Sequence, residues 1–360
     1  MAMSVNAVRR VLSLGAVLAA LLSSVPMAQA QPALTKIRFQ LDWRFDGQAA
    51  PFLMARAKGY FAQEGLDVQL DSGVGSAAAV ARLASGAYDM GYGDTSSLIE
   101  FLANNYGNQN AARMQAVYMV LDSTPAAAMV LKKSNIGKPS DLAGKTLGAP
   151  VFDAGRKLWP LFARAQGFDP ASVKWQSIEP ALREPMLVRG QVDGITGFQP
   201  SSMLAAVTAG AKEDDLRIFY YKDSGVTVYG NAILATSRFM EQNPKAVAGF
   251  LRAFNRALKE TIANPEEAVK FVKEREPIVD VAVETRRLKE YLDRFVVTAV
   301  TRSDGLGAIN KLRLDNQVED VARAFALKTP PSSDAIFNSS FLPPRAERQM
   351  PASVLAAAPK

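Results

Sequence analysis

The 360-residue chain contains no cysteine and no histidine. The first absence removes thiolate nucleophiles, disulfides and Cys-ligated metals. The second removes Ser-His-Asp triads, histidine general bases and His-containing metal sites. No metal and no cofactor is therefore expected. Carboxylate-only chemistry, such as glycoside cleavage by an acid pair, stays open. The balance favours a protein that binds over one that catalyses.

Long apolar runs are scarce too. The only one, Val11 to Val25, is shorter than the roughly 20 residues a spanning helix needs. Arg9 and Arg10 precede it, and Ala28-Gln29-Ala30 follows with small-x-small spacing. These are the parts of a secretory signal peptide over residues 1–30, with cleavage after Ala30. An uncleaved anchor helix is the alternative, and the same length argument opposes it. A periplasmic protein is expected, with no cysteine after the apolar run to carry a lipid.

The formal net charge is +7, and the leader arginines supply two of those charges. The remaining basic residues stand singly among acids, with no Lys/Arg run and no aromatic RNA-binding motif. A solvated surface accounts for them, and nucleic acid is not an expected partner.

From Thr35 onward, strand-like and helix-like segments alternate, as in an α/β fold with mainly parallel sheets. Lys36–Leu41 reads as the first strand and is followed by a helix opened by Pro51. Leu66–Leu70, Tyr88–Tyr92, Met114–Leu121 and Ala126–Leu131 read as further strands. Ser76 is placed to cap an Ala-rich helix, and Asp94 or Thr95 the next one. A second series follows, with strands at Thr146–Ala149, Val173–Ile178, Val192–Thr196 and Leu216–Tyr221. Gly86-Ala87-Tyr88-Asp89 is echoed by Gly190-Gln191-Val192-Asp193, which suits two lobes on one plan. After Gly225 the pattern turns helical.

The organisation expected is a first lobe over 31–123, a second over 124–225, a helical return to the first over 226–328, and an extended, mobile tail over 329–360. Ligands in open α/β sheets bind at the carboxyl ends of strands. Facing lobes would then bring together Asp42, Trp43, Asp46, Gly75, Ser76, Asp94 and Thr95 from the first lobe, and Asp122 from the crossing. Asp153, Glu184 and Phe198 would come from the second lobe, Tyr229 and Asn231 from the return. Carboxylates and rings suit a planar nitrogen-containing or cationic ligand. Each residue also has a plainer role: Asp94, Thr95 and Asp153 as helix caps, Trp43 as core. Helix N-termini at Ser76 and Thr95 keep an anion open. Gly73-x-Gly75 is too short for a dinucleotide fingerprint, and no Gly-rich phosphate loop occurs.

Several stretches resemble one family. They are Leu41-Asp42-Trp43, Ala57-Lys58-Gly59-Tyr60-Phe61, Glu64-Gly65-Leu66-Asp67-Val68, Ala84 to Gly91, Asp141 to Gly148, and Arg183-Glu184-Pro185-Met186-Leu187. The chain is similar there to the solute-binding proteins for nitrate, sulfonate, taurine and thiamine-pyrimidine precursors. The resemblance implies a two-lobed type II periplasmic binding protein fold, hinge closure on a small solute and a partner ABC permease; a monomer without enzymatic activity is the expectation for this chain. Asp42-Trp43 lies nearer the pyrimidine-precursor branch. Where that branch often has Pro-Asn and a nearby His, this chain has Arg44-Phe45-Asp46-Gly47. The related synthases consume their own His and need a Cys-rich motif, and neither residue type is present.

Overall fold

The computed structural model describes residues 33–108 and 112–355. The expected leader, 1–30, lies outside them. The described residues from Leu34 onward belong to one compact unit. Among the described residues, ten strands, β1 to β10, form two five-stranded sheets. The first sheet holds β1 (Thr35–Gln40), β2 (Leu66–Asp71), β3 (Met90–Asp94), β4 (Met114–Met119) and β10 (Asn231–Thr236), in the order β2-β1-β3-β10-β4. The second holds β5 (Ala126–Leu131), β6 (Thr146–Ala149), β7 (Lys174–Ser177), β8 (Gly194–Phe198) and β9 (Leu216–Tyr220), in the order β7-β6-β8-β5-β9.

Both sheets are mixed in one specific way. The strand that enters just after a crossing between the sheets runs antiparallel to its two neighbours. In the second sheet that strand is β5, between β8 and β9. In the first it is β10, between β3 and β4. The crossing segments lie side by side, with Thr124 N–H donating to Val228 O at 3.1 Å.

Strand β10 corrects the expectation of a purely helical return. All six of its residues are buried. A strand covered on both faces shows no alternation of apolar and polar residues, so its period is invisible. By contrast, β2 alternates buried and exposed positions, and its pattern is plain in the sequence. The tail is corrected as well. Ile336 and Phe337 are buried, Phe337 bridges to Ala116 beside β4, and Arg348 donates to Pro343 O at 2.8 Å. Two apolar side chains and a buried guanidinium hold this segment on the first lobe.

The helices that matter for the site are α1 (Ala50–Ala57), α2 (Ser76–Ala84), α3 (Thr95–Asn104), α4 (Ala154–Lys157), α5 (Arg183–Val188), α6 (Gln199–Thr208), α7 (Pro244–Ala263), α8 (Pro265–Arg275), α9 (Val281–Tyr291) and α10 (Lys311–Phe325). The α7 residues Val247, Phe250, Leu251, Phe254 and Leu258 recur at helical spacing and are buried. Phe250 stacks on Phe39 of β1 with ring centroids 5.0 Å apart, and Phe254 meets Phe52 at 4.5 Å. The second lobe has its own ring cluster, in which Phe162 stacks on Tyr221 at 4.4 Å and Trp159 meets Trp175 edge-on. Burying each such ring contributes about 2 kcal/mol. Each sheet is thus backed by a rigid aromatic core, and the strand ends face each other between the lobes. Among the described residues, no helix is long and apolar enough to cross a membrane.

Candidate functional site

The site starts where β1 stops. Its last paired residue is Gln40, and the chain then turns through Asp42 and Trp43. That turn is fixed by Gly75 N–H donating to Asp42 O at 2.7 Å and Gly73 N–H to Trp43 O at 2.9 Å. The Asp42 carboxylate is buried. It accepts from Asn231 Nδ2 at 2.7 Å and Ser76 Oγ at 3.1 Å. Because β10 is antiparallel, its first residue lies at the carboxyl edge of the sheet, and this puts Asn231 beside Asp42. Burial raises the Asp42 pKa to about 7, against those two hydrogen bonds, which favour the charged form.

The opposing wall comes from the second lobe. Asp153 caps α4 by accepting from Arg156 N–H at 2.9 Å. Its other oxygen accepts from Arg183 Nη1 at 3.0 Å. Arg183 also donates to Glu184 from Nε and Nη2, at 2.8 and 2.7 Å, and to Ser202 Oγ at 2.8 Å. The guanidinium lies 5.0 Å from the centre of the Trp43 ring, so a cation from one lobe faces the indole of the other. Burial raises the Asp153 pKa, and Arg183 works against that rise.

Between these walls lies a cavity of about 20 Å³, room for roughly one water. Asp42, Trp43, Gln48, Gly75, Ser76, Asp153, Ala154, Arg183, Phe198 and Ser201 line it. Two of its polar atoms, Trp43 Nε1 and Gln48 Oε1, are buried without a hydrogen-bond partner. Buried polar atoms are almost always paired, because an unpaired one forfeits its hydration. This pocket therefore offers one free donor and one free acceptor.

Of the residues expected at the site, Asp42, Trp43, Gly75, Ser76, Asp153 and Phe198 line this cavity, and Asn231 supports it from behind. Gln48, Ala154, Arg183 and Ser201 are lining residues the sequence reading missed. Asp94 caps α3, accepting from Ser96 and Ser97 N–H at 2.9 and 3.2 Å. Its second oxygen is buried and unpartnered, and burial raises its pKa to about 7. Thr95 donates to Gly230 O at 3.0 Å.

Asp122 and Tyr229 stand at the crossing segments instead of in the cavity. Asp122 accepts from Thr298 Oγ1 at 2.7 Å and Arg313 Nη1 at 2.9 Å. Arg313 also covers the Tyr229 ring at 4.0 Å, and the Tyr229 hydroxyl accepts from Asn310 N–H. Asp46 and Glu184 face an outer groove of about 550 Å³ next to the cavity. Ser76 does not cap its helix. Gly75 is the N-cap residue, and the Ser76 hydroxyl is spent on Asp42.

Two groups that could hold an anion are already engaged. Arg183, the only cation lining the cavity, is already matched by two carboxylates. The free N–H groups at the start of α3 are taken by Asp94. Among the described residues no cluster of carboxylates is placed to hold a metal ion.

At Gly75 the two lobes approach closely. The Gly75 φ is +137°, and a Cβ there would sit 2.2 Å from Phe152 O across the cleft. Gly75→Ala is expected to hold the lobes apart while each stays folded. X-ray scattering should give a larger radius of gyration than wild type. An unchanged radius would mean that Phe152 does not press on Gly75 in solution.

With the geometry in hand, known proteins can be compared. The riboflavin-binding protein RibY of Chloroflexus aurantiacus is 26% identical over 344 residues, covering 89% of this chain and 90% of that protein. The formylaminopyrimidine-binding protein of Halalkalibacterium halodurans is 24% identical over 238 residues, covering 66% of this chain and 69% of its own. Other relatives are named 4-amino-5-hydroxymethyl-2-methylpyrimidine phosphate synthase. Among solved structures, the alkanesulfonate-binding protein SsuA from Xanthomonas axonopodis pv. citri superimposes with a TM-score of 0.64 at 15% identity, over 86% of this chain and 100% of that one. The fold is thus the two-lobed type II periplasmic binding fold, each lobe a five-stranded mixed sheet flanked by helices. The description "NMT1/THI5 like" matches residues 46–268, more than half of the chain, and the protein belongs to that family.

Proposed function

We propose that this protein is the exported solute-binding component of an ABC importer and that its solute is a small nitrogen heterocycle. The observation that carries the reading is the Trp43 indole, which lines the interlobe cavity with its N–H buried and unpartnered, in a lining that also contains the unpartnered Gln48 Oε1. A heteroaromatic ring that meets the Trp43 indole at its edge accepts from that N–H through a ring nitrogen or carbonyl, and donates an N–H to Gln48 or Asp42. The names of the riboflavin- and formylaminopyrimidine-binding relatives support a ring of this class. Export follows from the leader, with cleavage after Ala30, and delivery is to a membrane permease. The protein works as a monomer and does no chemistry on its solute, since it has neither the histidine nor the cysteine that precursor synthesis draws on.

The test is a thermal-shift panel of lumichrome, riboflavin, aminopyrimidines, nitrate and short alkanesulfonates. A ring compound at a hundred times its Kd should stabilise the protein by about 2.7 kcal/mol. Trp43→Ala should weaken that binding roughly tenfold, as expected from losing a ring contact of about 1.5 kcal/mol. A shift with nitrate or sulfonates alone overturns the heterocycle assignment. Recovery of a chemically altered ligand overturns the non-enzymatic one.

A further inference from the structure

Helix α9 touches both lobes, and the contacts it makes lie mostly outside the ligand cavity. Toward the first lobe, Gly47 donates its N–H to Glu284 Oε2 at 2.7 Å. The approach is so close that a Cβ on Gly47 would sit 2.6 Å from Glu284 O. Helix α8, which packs on both α1 and α9, secures the same side. Toward the second lobe, Arg287 Nη1 donates to Ser201 O at 2.6 Å and Pro200 O at 3.2 Å, both in the first turn of α6. Glu284 orients that guanidinium by accepting from Nε and Nη2, at 2.8 and 3.1 Å.

Asp46 adds a direct bond between the lobes. Its Oδ2 accepts from Ser201 Oγ at 2.7 Å, with Arg287 Nε 3.8 Å away and the Tyr291 hydroxyl 3.3 Å from the same Ser201 oxygen. All five side chains are buried. Ser201 lines the inner cavity, whereas Asp46, Glu284 and Arg287 line the outer groove. The Asp46–Ser201 bond therefore stands between the two spaces.

We propose that Asp46, Ser201 and Arg287 form a latch, carried by α9, that holds the two lobes shut independently of the solute. Every bond in it runs from protein to protein. Charge-assisted hydrogen bonds to buried acceptors are the strong ones, and opening must replace them with water. Part of the free energy of closure is then present before a solute arrives. The closed cavity has room for about one water, so a ring solute enters only when the lobes part; apparent affinity then depends on the open–closed balance, and Arg287 acts as a positioning residue that sets this balance without touching the solute.

The test needs no ligand. Glu284→Gln and Arg287→Gln are made together, because removing one partner alone would strand a buried charge. Arg287→Lys is the second variant; it keeps the charge and loses the fork. Solution scattering and hydrogen exchange are measured on the ligand-free proteins. Wild type should stay compact, near the radius of gyration of about 20 Å expected for a chain of this length. The double variant should be larger. It should also exchange faster at Ala77, whose N–H donates to Phe152 O across the cleft at 3.3 Å, while β1 and β5 keep their protection. Arg287→Lys should fall between the two, and it carries the test if the double variant does not fold. Identical radii and identical exchange at Ala77 overturn the proposal. So does faster exchange spread evenly through both sheets, which would mark Arg287 as a general stabiliser.

Discussion

Replacing Arg183 with methionine is expected to remove about 3–5 kcal/mol of stability, the usual cost of stranding a buried charge. Arg183 is 1% exposed and serves Asp153, Glu184 and Ser202 at once. Methionine keeps much of the length and apolar volume, so the loss reports mainly the two carboxylates left without a counter-charge. Urea unfolding should show a lower midpoint with an unchanged slope. Adding Asp153→Asn and Glu184→Gln to the methionine variant should restore most of the loss, because a neutral trio no longer demands a cation. A loss below about 1 kcal/mol, the range of exposed ion pairs, would show that water reaches these carboxylates in solution.

The second large effect is a pH dependence centred on Asp42. Its pKa is about 7 in the folded protein, raised by burial, against 3.8 for the ordinary side chain. The folded state thus holds a proton that the unfolded state has released between about pH 4 and 7. Stability is full below that window, falls as pH rises through it, and levels off above 7. At 1.36 kcal/mol per unit, a shift of this size amounts to roughly 4 kcal/mol. Asp94, also raised to about 7 by burial, adds a contribution of the same sign. Asp42→Asn should remove the Asp42 share, leaving the variant more stable relative to wild type at pH 8 than at pH 4.5. Urea midpoints of both proteins at the two pH values measure it. A wild-type-to-variant difference that is the same at both would mean that Asp42 is already ionised at pH 4.5. A solute that donates an N–H to Asp42 as a carboxylate must also displace this proton, so its affinity should rise with pH up to about 7.

Much of this was legible in the residues because strand ends are legible. An apolar run that stops at an acid and an indole, as at Leu41 to Trp43, marks the sheet edge that borders the interlobe cavity. The same rule found Gly75, Ser76, Asp153 and Phe198. It could not find Arg183. A basic residue followed by an acid reads as solvated surface, and only the approach of Asp153, thirty positions earlier, makes it a buried centre. Gln48 and Ser201 carry no local signal; their place depends on how the lobes meet. Asp122 and Tyr229 were expected beside the cavity and stand at the crossing segments instead. Their partner Arg313 comes almost two hundred residues after Asp122, and nothing near either residue announces it. The third and eighth strands are each displaced two residues toward the C-terminus, to Met90–Asp94 and Gly194–Phe198. Gly93 and Gly197, just past the expected ends, have low strand propensity and gave no reason to extend either strand, yet both sit in the sheet with close neighbours.

The antiparallel strand in each sheet also dictates the order in which the molecule can be completed. All five strands of the second sheet come from one continuous stretch, Ala126 to Tyr220, so that lobe has everything it needs as soon as the stretch exists. The first sheet does not. Its gap between β3 and β4 is filled by β10, which pairs Asn231 with Asp94 only after the entire second lobe has been made. Closing a gap over so many residues is slow, because the loop entropy is lost before the contacts are gained. The lobe that begins the chain is therefore the last to finish, and the earlier-made wall of the binding cleft waits for the later one.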